Sequence, residues 1–358
     1  MLIIALLLPA AFIGAQETHK KRGRHTGAPR EIPAQITGYN PADTEAVYFG
    51  GYAKLDNGDY EGAIEYFNSV IAANPGDLLS LTGRAKAMAG RGDTKAAIKD
   101  MDRIIELAPA DAMSYNNRGL YKEQDGDNKA AIKDFDRAIA LMQGNASFYT
   151  NRAYAKCIQQ DFKGAIADMD TALLRAPGTE NTYTTRGNIG HYAGEYAGAI
   201  EDYSKAIDLS PSDSELYFYR ADSKYYLKDY KGAADDLTRC IITDSLYPNA
   251  FYRRGMVKIL LKDYKGAIED MSKAIEINPD AGGYYERGMA RCGMSDYKAA
   301  IEDFNISIMI NKACDECYYE RGIARHALGD KRGACADLQK ARELHNKEAK
   351  AKIKELCK

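Results

Sequence analysis

The strongest constraint on the fold of this 358-residue chain is a period. Pro75, Pro109, Pro177 and Pro211 stand at multiples of 34 residues, and the surrounding pattern repeats with them. Nine units begin at Thr44, Leu78, Ala112, Ala146, Glu180, Ser214, Pro248, Ala281 and Asp315; only the seventh is one residue short. Length alone suggests two or three domains, but a repeat voids that estimate, because each unit is one supersecondary element that buries its apolar side only by stacking on its neighbours. Position 20 is Ala in all nine units, from Ala63 to Ala334, and position 8 is always Gly or Ala. Two small positions twelve apart let two antiparallel helices approach closely. Position 4 is mostly aromatic (Tyr115, Tyr217, Phe251), and position 24 is large and apolar or aromatic (Phe67, Met101, Tyr203, Leu338). These side chains fill the space between the small ones.

The turns agree. Gly-Asp at 58–59, 92–93, 126–127 and 329–330 ends one helix and opens the next. Gly accepts the left-handed conformation after a last turn, and Asp accepts hydrogen bonds from free amides of a first turn. Pro at position 32 stops the second helix. This pattern of aromatic, Gly/Ala, Ala, large residue and Pro resembles the tetratricopeptide repeat over residues 44–346. The resemblance implies an all-α fold, a right-handed α-solenoid whose concave face is lined by each unit's first helix and holds an extended peptide or partner protein. Residues 347–358 read as a short polar helix that caps the last apolar face.

Position 7, usually Leu in that family, is Arg in eight units: Arg84, Arg118, Arg152, Arg186, Arg220, Arg254, Arg287 and Arg321. Position 23 is Asp in the same eight: Asp100, Asp134, Asp168, Asp202, Asp236, Asp270, Asp303 and Asp337. The first unit lacks both, with Gly50 and Tyr66 instead. Joint presence and joint loss predict that the two sites interact, either across the hairpin or across the seam to the next unit. One-to-one balance leaves no net field for a ligand, so the pairs read as a structural ion-pair ladder.

The resemblance places positions 2, 5, 9, 12 and 13 of the first helix in the groove. Early and middle units are mixed there, with Tyr154, Asn188 and His191 among the candidates. Units six to eight are aromatic and apolar: Phe218, Tyr225, Tyr252, Met256, Ile259, Tyr285 and Met289, with Asp222 among them. Such side chains anchor a partner if exposed, or are packed away if a tight superhelix buries them against neighbours. The chaperone-tail clamp of some of these repeats is not matched; Asn117 and Asn151 are isolated fragments of it.

Cys335 and Cys357 sit at matching depth on the last second helix and the capping helix, a disulfide in an oxidising compartment and two free thiols elsewhere. Cys314 and Cys317 form a C-x-x-C without a βαβ context or a second pair, which favours a local disulfide over redox catalysis or a zinc site. No HExxH, GxSxG or phosphate-loop pattern occurs, and the repeats leave almost no residues for a catalytic domain. The sequence therefore calls for no cofactor, no metal and no enzyme.

Residues 1–15 form a short uncharged apolar run ending in small residues, the pattern of a signal cleaved after Ala15; Lys20, Lys21, Arg22 and Arg24 lie on its downstream side. Residues 16–43 read as a flexible basic linker. Forty-nine basic against 51 acidic residues argue against a nucleic-acid binder. The mature chain has no apolar run long enough to span a membrane. The expectation is an exported scaffold for a protein or extended peptide. Its alternatives are a thiol–disulfide protein acting through Cys314 and Cys317, and a cytoplasmic assembly factor with an uncleaved amino terminus.

Overall fold

A computed structural model of the chain describes residues 48–247 and 249–357. The expected signal (1–15) and linker (16–43) lie outside the described residues. Every described element is helical, with no strand among the described residues. The chain divides into two compact parts, residues 1–182 and 183–358. Within each part, consecutive helices pack as antiparallel hairpins, and each hairpin packs on the next.

The first described element is a π-helical turn, Tyr48–Tyr52, running into Ala53–Asp56. The hairpin partner is Tyr60–Ala73. Then come Leu78–Arg91 with Thr94–Leu107, Ala112–Gln124 with Asn128–Leu141, and Ala146–Ile158 with Phe162–Arg175. The division falls in the first turn of the helix Glu180–Ala193, which pairs with Tyr196–Leu209, and the second part goes on with Ser214–Tyr226 and Tyr230–Thr243. It continues with Ala250–Leu260 and Tyr264–Ile277, Ala281–Gly293 and Tyr297–Ile310, then Asp315–Ala327 and Lys331–Glu343. A last helix, Ala349–Leu356, packs on Lys331–Glu343 through buried Ala349.

The start signals act as the sequence predicts. Asp59, Asp93, Asp127 and Asp330 each accept the amide three residues on, which satisfies one orphan donor. The preceding glycines are left-handed, with φ between 76° and 99°. Four other hairpins hold a non-glycine residue in that conformation: Gln160, Lys228, Lys262 and Ser295, with φ from 61° to 64°. Each stores the steric cost of a Cβ in the left-handed region.

The core of each hairpin is the contact between positions 8, 20 and 24. All nine position-20 alanines are at most 1% exposed. The position-24 side chains Phe67, Met101, Phe135, Met169, Tyr203, Leu237, Met271, Phe304 and Leu338 are at most 2% exposed. Their size sets what stands opposite. Wherever position 24 is a ring, position 8 is Gly: a Cβ on Gly119 would lie 2.6 Å from Phe135, on Gly187 2.8 Å from Tyr203, and on Gly288 2.7 Å from Phe304. Opposite Met101, Met169 and Leu237 the chain tolerates Ala85, Ala153 and Ala221.

The one-residue deletion falls in a linker. Asn278 to Asp280 joins the seventh and eighth units with three residues, where Ala108 to Asp111 uses four. The shorter span draws the next helix inward, so that a Cβ on Gly283 would lie 2.9 Å from Ile275. Glycine is what makes that approach available.

Candidate functional site

In all eight units the Arg and Asp of the ladder meet across their own hairpin. Nε donates to Oδ2 at 2.8–3.0 Å and Nη2 to Oδ1 at 2.5–2.7 Å, a two-pronged grip. In seven of these units the remaining Nη1 crosses the seam to the preceding unit's second helix. It reaches Asn68 from Arg84, Asp102 from Arg118, Asp136 from Arg152, Ser204 from Arg220, Thr238 from Arg254, Ser272 from Arg287 and Asn305 from Arg321, at 2.6–3.1 Å. One guanidinium therefore serves both geometries that the sequence left open. In six units its plane also lies 5.2–5.9 Å from the ring at position 4, as with Arg321 over Tyr318 and Arg220 over Tyr217.

Charge balance is not one to one, as the sequence had suggested. The aspartates are 1–6% exposed, and six of them hold a second cation from position 11 of the first helix. Lys122, Lys156, Lys224 and Lys258 stand 2.8 Å from Asp134, Asp168, Asp236 and Asp270. Arg291 lies 3.0 Å from Asp303 and Arg325 2.8 Å from Asp337. The signal was present as basic residues four places after six of the ladder arginines, one helical turn on. Asp100 and Asp202 face Met88 and Gly190 at that position.

The candidate groove residues of the second part lie on successive first helices. Phe218, Asp222 and Tyr225 line a shallow open hollow with Arg253 and Val257. Asp222 is engaged inside the molecule. Arg253 Nη2 is 3.2 Å from Oδ1 but off the hydrogen-bond line, and His191 Nε2 is 3.4 Å from Oδ2. His191 Nδ1 meets Ser223 Oγ at 2.9 Å, and its ring lies edge-on to Tyr196 and Tyr226. Burial holds this imidazole below its ordinary range, against the pull of Asp222. Asn188 accepts the hydroxyl of buried Tyr203 at 2.7 Å through Oδ1.

Tyr252, Met256, Ile259, Tyr285 and Met289 are half-buried rather than fully exposed. Phe218 packs against Tyr247 at 5.1 Å, and Tyr285 leans on Phe304 at 6.0 Å. The surface thus combines the two alternatives read from sequence: each ring keeps one side on a neighbour and one toward solvent. In the first part, Tyr154 is half-buried on Ala146–Ile158.

Two cysteine pairs stand at bonding distance. Cys335 and Cys357 join the last hairpin to the final helix, with Sγ atoms 2.08 Å apart. Cys314 and Cys317 close a local bridge of 1.95 Å at a helix start, with Cys317 fully buried and 3.1 Å from Ser307 Oγ. Burial pushes the Cys157 and Cys240 thiols up to about 12. Among the described residues no cluster of His, Cys, Asp and Glu has the spacing to hold a metal ion, and no helix is long and apolar enough to cross a membrane.

Three family profiles match the chain, each describing the tetratricopeptide repeat: one over residues 18–78 and 82–146, one over 187–228 and one over 248–281. Together they take in more than half of the chain. The first begins inside the stretch read from sequence as a linker. No curated protein matches the sequence. Among solved structures, the C-terminal part of a TPR repeat-containing protein from Cytophaga hutchinsonii superposes with a TM-score of 0.57 at 18% identity, covering 65% of this chain and 95% of that one. A tetratricopeptide repeat protein from Parabacteroides merdae gives 0.50 at 16% identity, covering 69% of this chain and 98% of that one. At these identities the likeness is one of fold. With the period, the hairpins and the profiles in agreement, the chain belongs to the tetratricopeptide-repeat family.

Proposed function

We propose that the chain is a non-catalytic scaffold that holds a protein or extended peptide on the first-helix face of its second part. The observation that carries this reading is the row formed by Phe218, Tyr252, Tyr285, Met256 and Met289, large side chains that are half-buried without being enclosed. Rings fixed on one side and open on the other present contact area at low entropic cost, and thioethers adapt to varied partners. A pulldown with the full chain and with Phe218→Ala/Tyr252→Ala tests it. Loss of the captured partners is expected; the same partners at the same strength would overturn the assignment.

Export is part of the same proposal. Its support is the uncharged run at residues 1–15 and the two cysteine pairs at bonding distance, which suit an oxidising compartment. Mass spectrometry of the mature protein should find Gln16 at the amino terminus, and retained Met1 contradicts export. In an insulin-reduction assay no turnover through Cys314 and Cys317 is expected.

A further inference from the structure

The first helices of the seventh, eighth and ninth units, Ala250–Leu260, Ala281–Gly293 and Asp315–Ala327, lie side by side, the middle one touching both others. Every Lys and Arg on these three helices is ion-paired to an aspartate. Among the described residues, none of the four carboxylates on these helices has a cation; Asp315 accepts from Asn346 Nδ2 at 3.2 Å and Glu316 is exposed, which leaves two half-buried ones. Glu286 and Glu320 occupy position 6 of the eighth and ninth units, are half-buried, and have neither an ion pair nor a hydrogen bond among the described residues. Their charges reach the rings and thiol of the candidate groove: Glu286 acts on the Tyr252 hydroxyl, and Glu320 on the Tyr285 hydroxyl and the Cys292 thiol. A half-desolvated carboxylate with no partner is costly to keep ionised, and burial pushes Glu286 up to about 6.

The molecule contains its own template for what fits there. One unit earlier, position 6 is Arg253, and its guanidinium faces Asp222 at position 9 of the preceding first helix, beside Phe218 and Tyr225. In the next two units the pattern is inverted. Position 6 becomes Glu286 and Glu320, while position 9 of the preceding helix is Met256 and then Met289. No internal cation completes either step. Tyrosines at position 5, Tyr252, Tyr285 and Tyr319, supply ring faces alongside.

We infer that this stretch of the groove receives an extended basic peptide, with Lys or Arg side chains seated on Glu286 and Glu320 against the neighbouring tyrosines. Carboxylate and ring together are the chemistry that recognises a cation. The spacing follows from the stack. Packed helices lie about 10 Å apart, and an extended strand rises about 3.3 Å per residue, so the two basic residues stand about three positions apart. This inference rests on the groove reading above and adds the class of partner to it.

The test is selection of a random dodecapeptide library on the full chain, followed by titration of the enriched peptides. Enrichment of paired Lys/Arg about three apart is expected, with affinity falling at least tenfold on Glu286→Gln/Glu320→Gln and falling as salt is raised. Unchanged helical circular dichroism in that variant, which removes charge without changing shape, excludes misfolding. Enrichment of acidic or neutral peptides lost on Phe218→Ala/Tyr252→Ala would overturn this inference and leave the groove standing. Basic peptides indifferent to the Gln pair also overturn it. A selection that enriches nothing removes both. Binding seen only after Lys20, Lys21, Arg22 and Arg24 are replaced by Ser assigns the site to the chain's own basic segment and overturns the partner claim.

Discussion

The ladder predicts that chemically identical arginines differ in what their loss costs. Asp100 is 6% exposed and holds one cation, Arg84, because Met88 stands at position 11. Asp134 is 4% exposed and holds two, Arg118 and Lys122. Arg84→Met leaves Asp100 buried and unneutralised, the situation that costs about 3–5 kcal/mol. Arg118→Met leaves Asp134 with Lys122 at 2.8 Å, and the loss is that of charge-assisted hydrogen bonds, about 1.5–3 kcal/mol. The seam bonds do not reverse the order. Asn68 is neutral, and Asp102 is half-exposed and returns to water at little cost. The expected gap is about 2 kcal/mol, roughly thirtyfold in a local opening constant. A stack of this kind opens unit by unit, so the assay is native-state hydrogen exchange on peptides from Thr94–Leu107 and Asn128–Leu141, supported by urea midpoints. Equal costs in the two units would refute the role given to position 11. In the same assay Arg84→Met/Asp100→Leu should cost less than either change alone, and additive costs would remove the pairing itself.

Other consequences are separately measurable. Gly119→Ala drives a Cβ to within 2.6 Å of Phe135, and overpacking of about 1–3 kcal/mol should outweigh the helix-propensity gain of about 1 kcal/mol; adding Phe135→Met should restore the urea midpoint, and its failure to do so would refute the ring–glycine rule. Gln160→Gly and Lys228→Gly relieve left-handed residues and should each raise stability by about 0.5–1 kcal/mol, seen as a higher melting temperature; a fall would show that no strain was stored there. Burial raises the Glu123 carboxyl from its ordinary 4.5 to about 7. The folded state therefore holds this proton more tightly than the unfolded chain. The stability it contributes is complete below pH 4.5 and lost as pH rises through about 7. Glu123→Gln should stabilise the protein by about 1–3 kcal/mol at pH 8 and by almost nothing at pH 4; equal gains at both would contradict a half-buried, cation-free carboxyl.

The fold was legible because it is written many times over. A small residue at position 20 in nine units and a Gly-Asp turn in four leave a helix hairpin as the consistent solution. The Arg–Asp pairing was legible for the same reason. What escaped was information carried by geometry between units. The basic residue at position 11 was visible as Lys122 or Lys258, yet only the hairpin shows that it ends on the same aspartate as the Arg one turn before it. The half-burial of Tyr252 and Tyr285 depends on how one first helix leans on the next, which the period of one helix does not encode. The charges at position 6 went unread for a related reason, since that position stands out in the sequence only through Asn117 and Asn151, fragments of a clamp. Arg253, Glu286 and Glu320 look like surface charge until Arg253 is seen against Asp222.

All eight ladder arginines grip an aspartate sixteen residues ahead, and six also grip a polar side chain sixteen residues behind, Asp134 and Asp102 in the case of Arg118. Whole cassettes of 34 residues can thus be gained or lost while every clasp closes on an equivalent atom. An odd insertion inside a helix shifts one clasp or the other out of reach. The shortened seventh unit obeys that rule. Its missing residue lies in a turn, Arg287 counts back fifteen places rather than sixteen to Ser272, and the clasp still closes at 3.1 Å. Drift in the length of this chain is thereby confined to its turns, and new copies lock on as they arrive.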